Sequence, residues 1–246
     1  MFDEEDDVDL DLSTIGELCV YILDASFSMT GGMNDGTTNN KKQSAEIALR
    51  TALSDIVGVD KKFASGIATA LNIAIVNFGK GAGTSTDILS LREILAKETN
   101  ERKKDAINNI KIYSSNWKDY GSGTRIKDGL NEALKIAKDF KDNHPAREKQ
   151  ITFILMTDGD DNSQISHSDL LDYVNANIRS EDISLACAFF GPSSSNEKGK
   201  ELLKKLAFHI RSEYDSQSYA DCPTTKEFKN FLYYHSRTVK DHIGKE

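Results

Sequence analysis

One short stretch near the amino end constrains the fold more than any other. The apolar run at residues 19–23 ends abruptly in the pattern Asp-x-Ser-x-Ser, formed by Asp24, Ser26 and Ser28. Such a run, closed by small polar residues, is typical of a buried strand and the turn at its carboxyl end. In open α/β sheets, ligands bind at that end of the strands. The carboxylate and the two hydroxyls fall within one turn, and oxygen ligands of this kind favour Mg²⁺, Mn²⁺ or Ca²⁺ over zinc.

Strand and helix patterns alternate along the rest of the chain. Runs of β-forming residues predict further strands, at residues 71–78, 151–156 and 183–190, with shorter ones at residues 88–94 and 211–214. Helical spacing of apolar residues predicts helices between them, at residues 41–57, 99–110, 168–179, 197–206 and 225–237, and from Thr124. This alternation predicts an α/β fold, a Rossmann-like three-layer sandwich with helices on both faces of a mostly parallel sheet that has one short antiparallel edge strand.

The charge of the chain is concentrated at its amino end. Seven acidic residues fall within residues 3–11, whereas the whole chain has a formal net charge of -8. We therefore expect residues 1–11 to be a disordered acidic tail, and residues 12–240 to form one nearly neutral domain. A nearly neutral body argues against a nucleic-acid partner, since that binding needs a concentrated basic face.

The cysteines and the hydropathy pattern indicate the cellular compartment in which the protein is expected. The chain has three cysteines, and none of them forms a Cys-x-x-Cys pair. An odd count without that spacing argues against a disulfide framework or a zinc site. No apolar run approaches the length of a membrane span, and the acidic start is unlike a signal peptide. We expect a cytoplasmic protein without membrane insertion, and the sequence leaves its oligomeric state open.

Two further segments place small oxygen-bearing residues beside predicted strands or helices. The loop Gly121-Ser122-Gly123-Thr124 precedes a helix, and Asp158 follows the strongest predicted strand. Each segment alone is an ordinary loop or turn. Together with Asp24, Ser26 and Ser28, and in this order, they form a pattern that resembles the von Willebrand factor type A (VWA) domain and its metal-ion-dependent adhesion site.

The resemblance implies a function as well as a fold. In VWA domains the Asp-x-Ser-x-Ser motif, a Thr from a glycine-rich loop and an Asp after a central strand hold a divalent cation. Here those positions match Asp24, Ser26, Ser28, Thr124 and Asp158. The resemblance implies Mg²⁺, or Mn²⁺ or Ca²⁺, held directly by the three hydroxyls, and a binding module instead of an enzyme. A protein partner would contribute a carboxylate to the ion.

Some positions depart from the family pattern or extend it. Phe27 stands where the family often has Gly, and residues 92–120 are longer than the family's minimum, which affects the rim of the site and the choice of partner. We interpret Asp35, Asp160 and Asp161 as exposed acidic loop residues. The stretches at residues 123–130 and 155–159 are similar to those of stand-alone bacterial VWA proteins associated with tellurium resistance and stress response.

Two other functions stay open at this stage. A metal-dependent phosphohydrolase of the haloacid dehalogenase type would use Asp24 as its nucleophile and the acidic stretch from Asp158 as a late motif. Ser26 argues against it, because a serine cannot replace the Asp that acts there as a general acid in that family. The chain could also be a structural VWA module whose site holds no ion.

Overall fold

A computed structural model describes residues 15–33, 35–59, 70–114, 123–192 and 196–236. The predicted acidic tail, Gly121 and Ser122 of the glycine-containing loop, and part of the long stretch at residues 92–120 lie outside these ranges. Six strands are present in them: β1 (Ile15–Asp24), β2 (Leu71–Phe78), β3 (Ala82–Ser90), β4 (Glu148–Thr157), β5 (Ile183–Phe190) and β6 (Tyr219–Cys222).

The strands form one sheet in the order β3-β2-β1-β4-β5-β6. All neighbouring pairs are parallel except β2 and β3, so β3 is the antiparallel edge strand. The chain leaves β1 for β2 on one side and reaches β4 on the other, which makes the β1/β4 boundary the point where the strand order reverses. Ligands of open α/β sheets bind outside the carboxyl ends of the strands at such a point. The predicted fold class is confirmed.

Seven α-helices lie between or after the strands within the described ranges: α1 (Lys41–Ile56), α2 (Leu91–Leu95), α3 (Asn100–Asn108), α4 (Ile126–Asn143), α5 (His167–Asn177), α6 (Glu197–Leu206) and α7 (Thr225–His235). They cover both faces of the sheet. Side chains of β1 alternate between the two faces: Tyr21 joins a core with α1 and α7, whereas Ile22 joins a core with α4, α5 and α6. A strand buried on both faces explains why β1 reads as an unbroken apolar run.

The helix α4 packs closely against the sheet at Gly129, which lies in its first turns. A Cβ atom built on Gly129 would lie 2.9 Å from Cγ2 of Ile22 and 3.1 Å from Cβ of Phe78. A side chain at this position would therefore clash with β1 and β2. This close contact between α4 and the sheet helps to position the residues that precede the helix.

Two predicted strands are wrong. Residues 88–94 do not form a strand of their own, because β3 ends at Ser90 and α2 begins at Leu91. Residues 211–214 lead into a 3-10 helix, Ser212–Gln217, and the edge strand β6 follows it. The strand β3 lies mostly before the predicted one and β6 lies after it, because pairing with β2 or β5 determines the position of each strand more than local composition does.

The structure also bears on the cysteines and on membrane spans. Cys19, Cys187 and Cys222 are all buried free thiols. Cys222 ends β6 and packs in the core beside α7. Among the residues described, none of the helices combines the length and apolar character that a membrane span requires.

Candidate metal centre

Asp24 is the last residue of β1, and its side chain is completely buried. Its Oδ1 accepts a hydrogen bond from the backbone N–H of Ser26 at 2.7 Å. Its Oδ2 accepts one from Oγ1 of Thr157 at 2.5 Å. Because β1 and β4 are parallel neighbours with Leu23 opposite Met156, their ends coincide and Thr157 faces Asp24. The carboxylate is thus fixed by neutral donors from the turn after β1 and from β4.

Ser26, Ser28 and Asp158 form a continuous chain of hydrogen bonds across the β1/β4 boundary. The hydroxyl oxygens of Ser26 and Ser28 are 2.9 Å apart. The hydroxyl of Ser28 donates to Oδ1 of Asp158 at 2.6 Å. These groups are separated by 130 residues in sequence, so the sheet topology alone brings them together.

A short 3-10 helix, Phe27–Thr30, determines how the two serines are presented. The N–H of Met29 donates to the carbonyl of Ser26 at 3.1 Å, and the Thr30 hydroxyl donates to the carbonyl of Phe27 at 2.8 Å. Met29 anchors the turn in the core at 1% exposure, whereas Phe27 projects outward at 71% exposure. The turn therefore places an exposed aromatic ring directly between the two serine positions.

Thr124 enters the site from the start of α4 and is almost fully buried. Its N–H donates to Oδ1 of Asn162 at 2.7 Å, and its carbonyl accepts from the N–H of Asn162 at 3.0 Å. The next residue, Arg125, donates its N–H to the carbonyl of Gly79 at 2.9 Å. The hydroxyl Oγ1 of Thr124 lies 3.6 Å from where a Cβ on Gly159 would be. Thr124 is therefore held against the loop that begins with Asp158.

Lys41, the first residue of α1, is a member of the site that sequence reasoning missed. Its Nζ donates to Oδ2 of Asp158 at 2.5 Å, and the two side chains are 13% and 1% exposed. One oxygen of Asp158 thus contacts a hydroxyl of the β1 loop and the other contacts an ammonium group from α1. A lysine at the start of an amphipathic helix carries no signal of this role, because the contact depends on tertiary structure.

The electrostatics of the site are dominated by two buried carboxylates with one ammonium beside them. Burial and then the charge of Asp158 raise the pKa of Asp24 to about 7, although hydrogen bonds from Thr157 and Ser26 oppose this shift. The phenol of Tyr113 donates to the carbonyl of Asp24 at 3.3 Å, and burial followed by the charge of Asp24 raises its pKa well above the ordinary value. Burial and the neighbouring carboxylate of Asp158 thus both disfavour the charged form of Asp24.

The acidic residues near Asp158 have mainly structural contacts. The interpretation of Asp161 as an exposed loop residue is wrong, since it is 9% exposed and its Oδ2 accepts from the N–H of Ile126 at 2.9 Å, at the start of α4. Asp160 Oδ1 lies 2.8 Å from Nε2 of His167. Asp35 accepts from the hydroxyl of Thr225 at 3.2 Å and so connects its loop to α7.

Hydrogen bonds thus connect four of the predicted site residues, Asp24, Ser26, Ser28 and Asp158. The fifth, Thr124, is held against the loop that begins with Asp158. Within the described ranges, no group of three or more His, Cys, Asp or Glu side chains is arranged to hold a metal. Any cation here would depend on two carboxylates and three hydroxyls. Oxygen donors of this number and type, with uncompensated negative charge, fit Mg²⁺ or a similar hard cation.

Neither a protein-family model nor a curated protein sequence matches this chain. Its structure, however, is similar to several solved ones. The vWF domain of the type V pili tip protein Mfa5 from Porphyromonas gingivalis matches with a TM-score of 0.54 and 11% identity, over 95% of this chain and 98% of that one. A von Willebrand factor type A protein from Catenulispora acidiphila matches with a TM-score of 0.51 and 17% identity, over 90% of this chain.

A third similar structure is proximal thread matrix protein 1 from the mussel byssus, with a zinc-occupied MIDAS motif. It matches with a TM-score of 0.52 and 17% identity over 91% of this chain. The chain spans 46% of the length of the byssus protein and 42% of the Catenulispora protein. At these identities the likeness concerns the fold, which is that of VWA domains.

Proposed function

We propose that this protein is a divalent-cation-dependent protein-binding module, with a partner's carboxylate as the group that the ion recognises. The residues that would hold the ion are Asp24, Ser26, Ser28, Thr124 and Asp158, and Mg²⁺ is the preferred candidate. The observation that carries the proposal is the hydrogen-bonded chain from Ser26 through Ser28 to Asp158, placed at the strand-order reversal of a VWA fold.

The charge balance of the site supports binding of a cation that keeps an open position. The hydroxyls of Ser26, Ser28 and Thr124 are neutral, and Asp158 already shares its charge with Lys41. When bound, a hard divalent ion supplies a Lewis-acidic position that an external carboxylate can fill.

The exposed ring of Phe27 supports a protein partner. Three large hydrophobic side chains are exposed within the described residues, and Phe27, at 71%, is more exposed than Ile47 or Ile210. Aromatic side chains are enriched among residues that dominate protein interfaces. A partner segment whose acidic residue neighbours an apolar one would contact both the ion and this ring.

The phosphohydrolase alternative is disfavoured by the environment of Asp24. A nucleophilic carboxylate needs an oxygen that can reach the phosphorus atom of a substrate. Here Asp24 is fully buried, and its two oxygens accept hydrogen bonds from Ser26 and Thr157. A fixed and enclosed carboxylate suits a supporting role for an ion better than it suits covalent catalysis.

Calorimetric titration with Mg²⁺ and Mn²⁺ tests the cation site. The wild-type protein should show saturable binding, and the double variant Ser26→Ala plus Thr124→Ala should show none while it keeps the wild-type unfolding midpoint within a few degrees. Thr51→Ala plus Ser180→Ala removes two exposed hydroxyls far from the site and is the matched control. Undiminished binding by the first variant would refute the ligand assignment, and absence of binding to the wild type would leave a structural module.

Partner binding requires a second experiment. A pull-down from the native host, with and without a chelator, should recover a protein whose capture needs the ion and is lost in the double variant. Capture that is insensitive to both the chelator and the variant would contradict cation-dependent binding. Turnover of a generic phosphate ester that Asp24→Asn abolishes would favour the enzyme instead.

A further inference from the structure

Hydrogen bonds at the start of α1 hold the backbone of Lys41 in place. Its helix begins with a capping box in which the Asn40 side chain accepts from the N–H of Gln43 and Gln43 Oε1 accepts from the N–H of Asn40. The N–H of Lys41 itself donates to the carbonyl of Gly31 at 2.9 Å. These contacts fix the backbone from which the side chain extends to Asp158.

The side chain of Lys41 also passes close to a glycine, which leaves room for it. A Cβ on Gly191, which follows β5, would lie 3.6 Å from Lys41 Cε, 3.8 Å from its Nζ and 3.8 Å from Cβ of Asp158. The glycine thus lines the passage between α1 and the loop after β4. The next lysine in sequence, Lys42, instead places its ammonium 4.8 Å from the ring centre of Tyr113. The contact with Asp158 is made by Lys41.

We infer that the ammonium of Lys41 is a tethered competitor of the divalent cation, which lowers the ion affinity of the site and couples ion binding to the start of α1. The inference rests on the proposed function, because it concerns the regulation of the same site. The side chain of Asp158 is nearly buried, and either the ammonium or a divalent ion can neutralise its negative charge. Two cations held within a few ångströms of one another repel, and little water screens a buried site.

The competition has a structural consequence. The Nζ–Oδ2 contact connects α1 to the loop after β4, and the N–H of Lys41 connects α1 to the loop after β1. Weakening the first contact leaves the second in place. Ion binding should therefore loosen the link between α1 and Asp158 without unfolding the first turn of the helix.

Variants at position 41 test the inference by calorimetric titration with Mn²⁺. Lys41→Met removes the ammonium, and Lys41→Gln keeps a neutral donor for Asp158 in case the first variant fails to fold. Lys135→Met removes an equal charge from an exposed position on α4, where the lysine pairs with Glu132, and is the control. The position 41 variants should bind Mn²⁺ about tenfold tighter or more, and the control should match the wild type.

Thermal unfolding gives a second readout that does not depend on a partner. Removing one member of a nearly buried ion pair leaves Asp158 uncompensated. Lys41→Met should therefore unfold at a lower temperature than the wild type without Mn²⁺. Saturating Mn²⁺ should raise its midpoint more than it raises that of the wild type.

The outcomes separate this inference from the proposed function. Equal Mn²⁺ affinity in wild type and both position 41 variants would overturn the competition and leave the cation site standing. Binding by the variants alone would support the competition and overturn cation dependence of the wild-type protein. No binding by any of the proteins would overturn both.

Discussion

Two helices begin at the site from opposite faces of the sheet, and they are attached to it differently. The start of α4 is held by hydrogen bonds to the loop after β4: Asp161 accepts from the N–H of Ile126, and Asn162 is paired with the backbone of Thr124. The start of α1 is attached to the same loop through an ion pair between Lys41 and Asp158.

The difference predicts which helix responds to a cation. Hydrogen bonds to the backbone of Thr124 leave its hydroxyl available and do not compete with an ion. The contact between Lys41 and Asp158, in contrast, uses an oxygen that the ion would also attract. The loop at residues 158–162 therefore holds the start of α4 by contacts that an ion does not disturb, and the start of α1 by a contact that an ion can replace.

Acid should weaken the α1 side of the sheet before the α4 side. The helix α1 packs beside α7, which ends in the buried His235, whose Nε2 contacts the carbonyl of Gln217 at 3.0 Å. Burial lowers the pKa of His235 to about 4, opposed by the contact with Gln217 and assisted by the charge of His209. Between pH 6.5 and 4 the unfolded chain binds a proton that the folded chain does not. The contribution of His235 to stability should therefore fall, as the pH drops across that range, by up to about 3 kcal/mol.

Urea unfolding as a function of pH, compared with His235→Gln, measures this effect. The glutamine cannot be protonated, so the unfolding free energy of the wild type relative to the variant should fall as the pH drops. Asp24 titrates in both proteins and cancels in this difference. Amide exchange at pH 5 should increase in α7 and α1 before it increases in α4. Faster exchange in α4 than in α7 would contradict the contrast between the two sides.

Removing the carboxylate that holds α4 should cost stability and ion affinity together. Asp161→Ala leaves the N–H groups of Ile126 and Ser163 without their present acceptor. Loss of a charge-assisted bond at a helix start should lower the unfolding free energy by about 2 kcal/mol. Because Thr124 lies two residues before the first residue of that helix, Mn²⁺ binding should weaken as well. Asp160→Ala is the adjacent control, and an equal loss there would show that general loop charge is responsible.

The equivalent change at α1 should lower stability without weakening ion binding. Asn40→Ala removes the cap that accepts from the N–H of Gln43 at 2.8 Å, at a cost of about 1 kcal/mol. Because Lys41 then sits on a less fixed turn, Mn²⁺ affinity should stay the same or rise. A fall in affinity comparable to that of Asp161→Ala would show that the two helices support the site in the same way.

The smallest expected effect on stability is that of Phe27→Ser. Its ring is 71% exposed, so the unfolding free energy should change by no more than about 0.5 kcal/mol. Mn²⁺ binding should also be unchanged, whereas capture of a partner should fall if the ring contacts it. Ile47→Ser, at a position that is 44% exposed on α1, is the control for a general loss of apolar surface. Equal capture by wild type and Phe27→Ser would remove the ring from the interface.

The parts of the fold and site that could be predicted are those encoded by local pattern. The buried strand β1 and the oxygen-bearing turn after it are contiguous in sequence, and the two-sided core makes β1, β2 and β5 read as apolar runs. The edge strand β3 was placed wrongly because its residues are half-exposed and its position depends on pairing with β2. Lys41, Thr157 and Asn162 could not be identified, since each acts across the sheet on a residue more than 35 positions away.

Gly129 lies outside the site, but it affects the position of Thr124 within it. The helix α4 rests on β1 and β2 at a point where one added methyl group would collide with Ile22 and Phe78. Such a methyl group would lift the helix, and the displacement would reach Thr124 at its leading end. The position of Thr124 thus depends on the absence of a side chain at a residue more than one helical turn away.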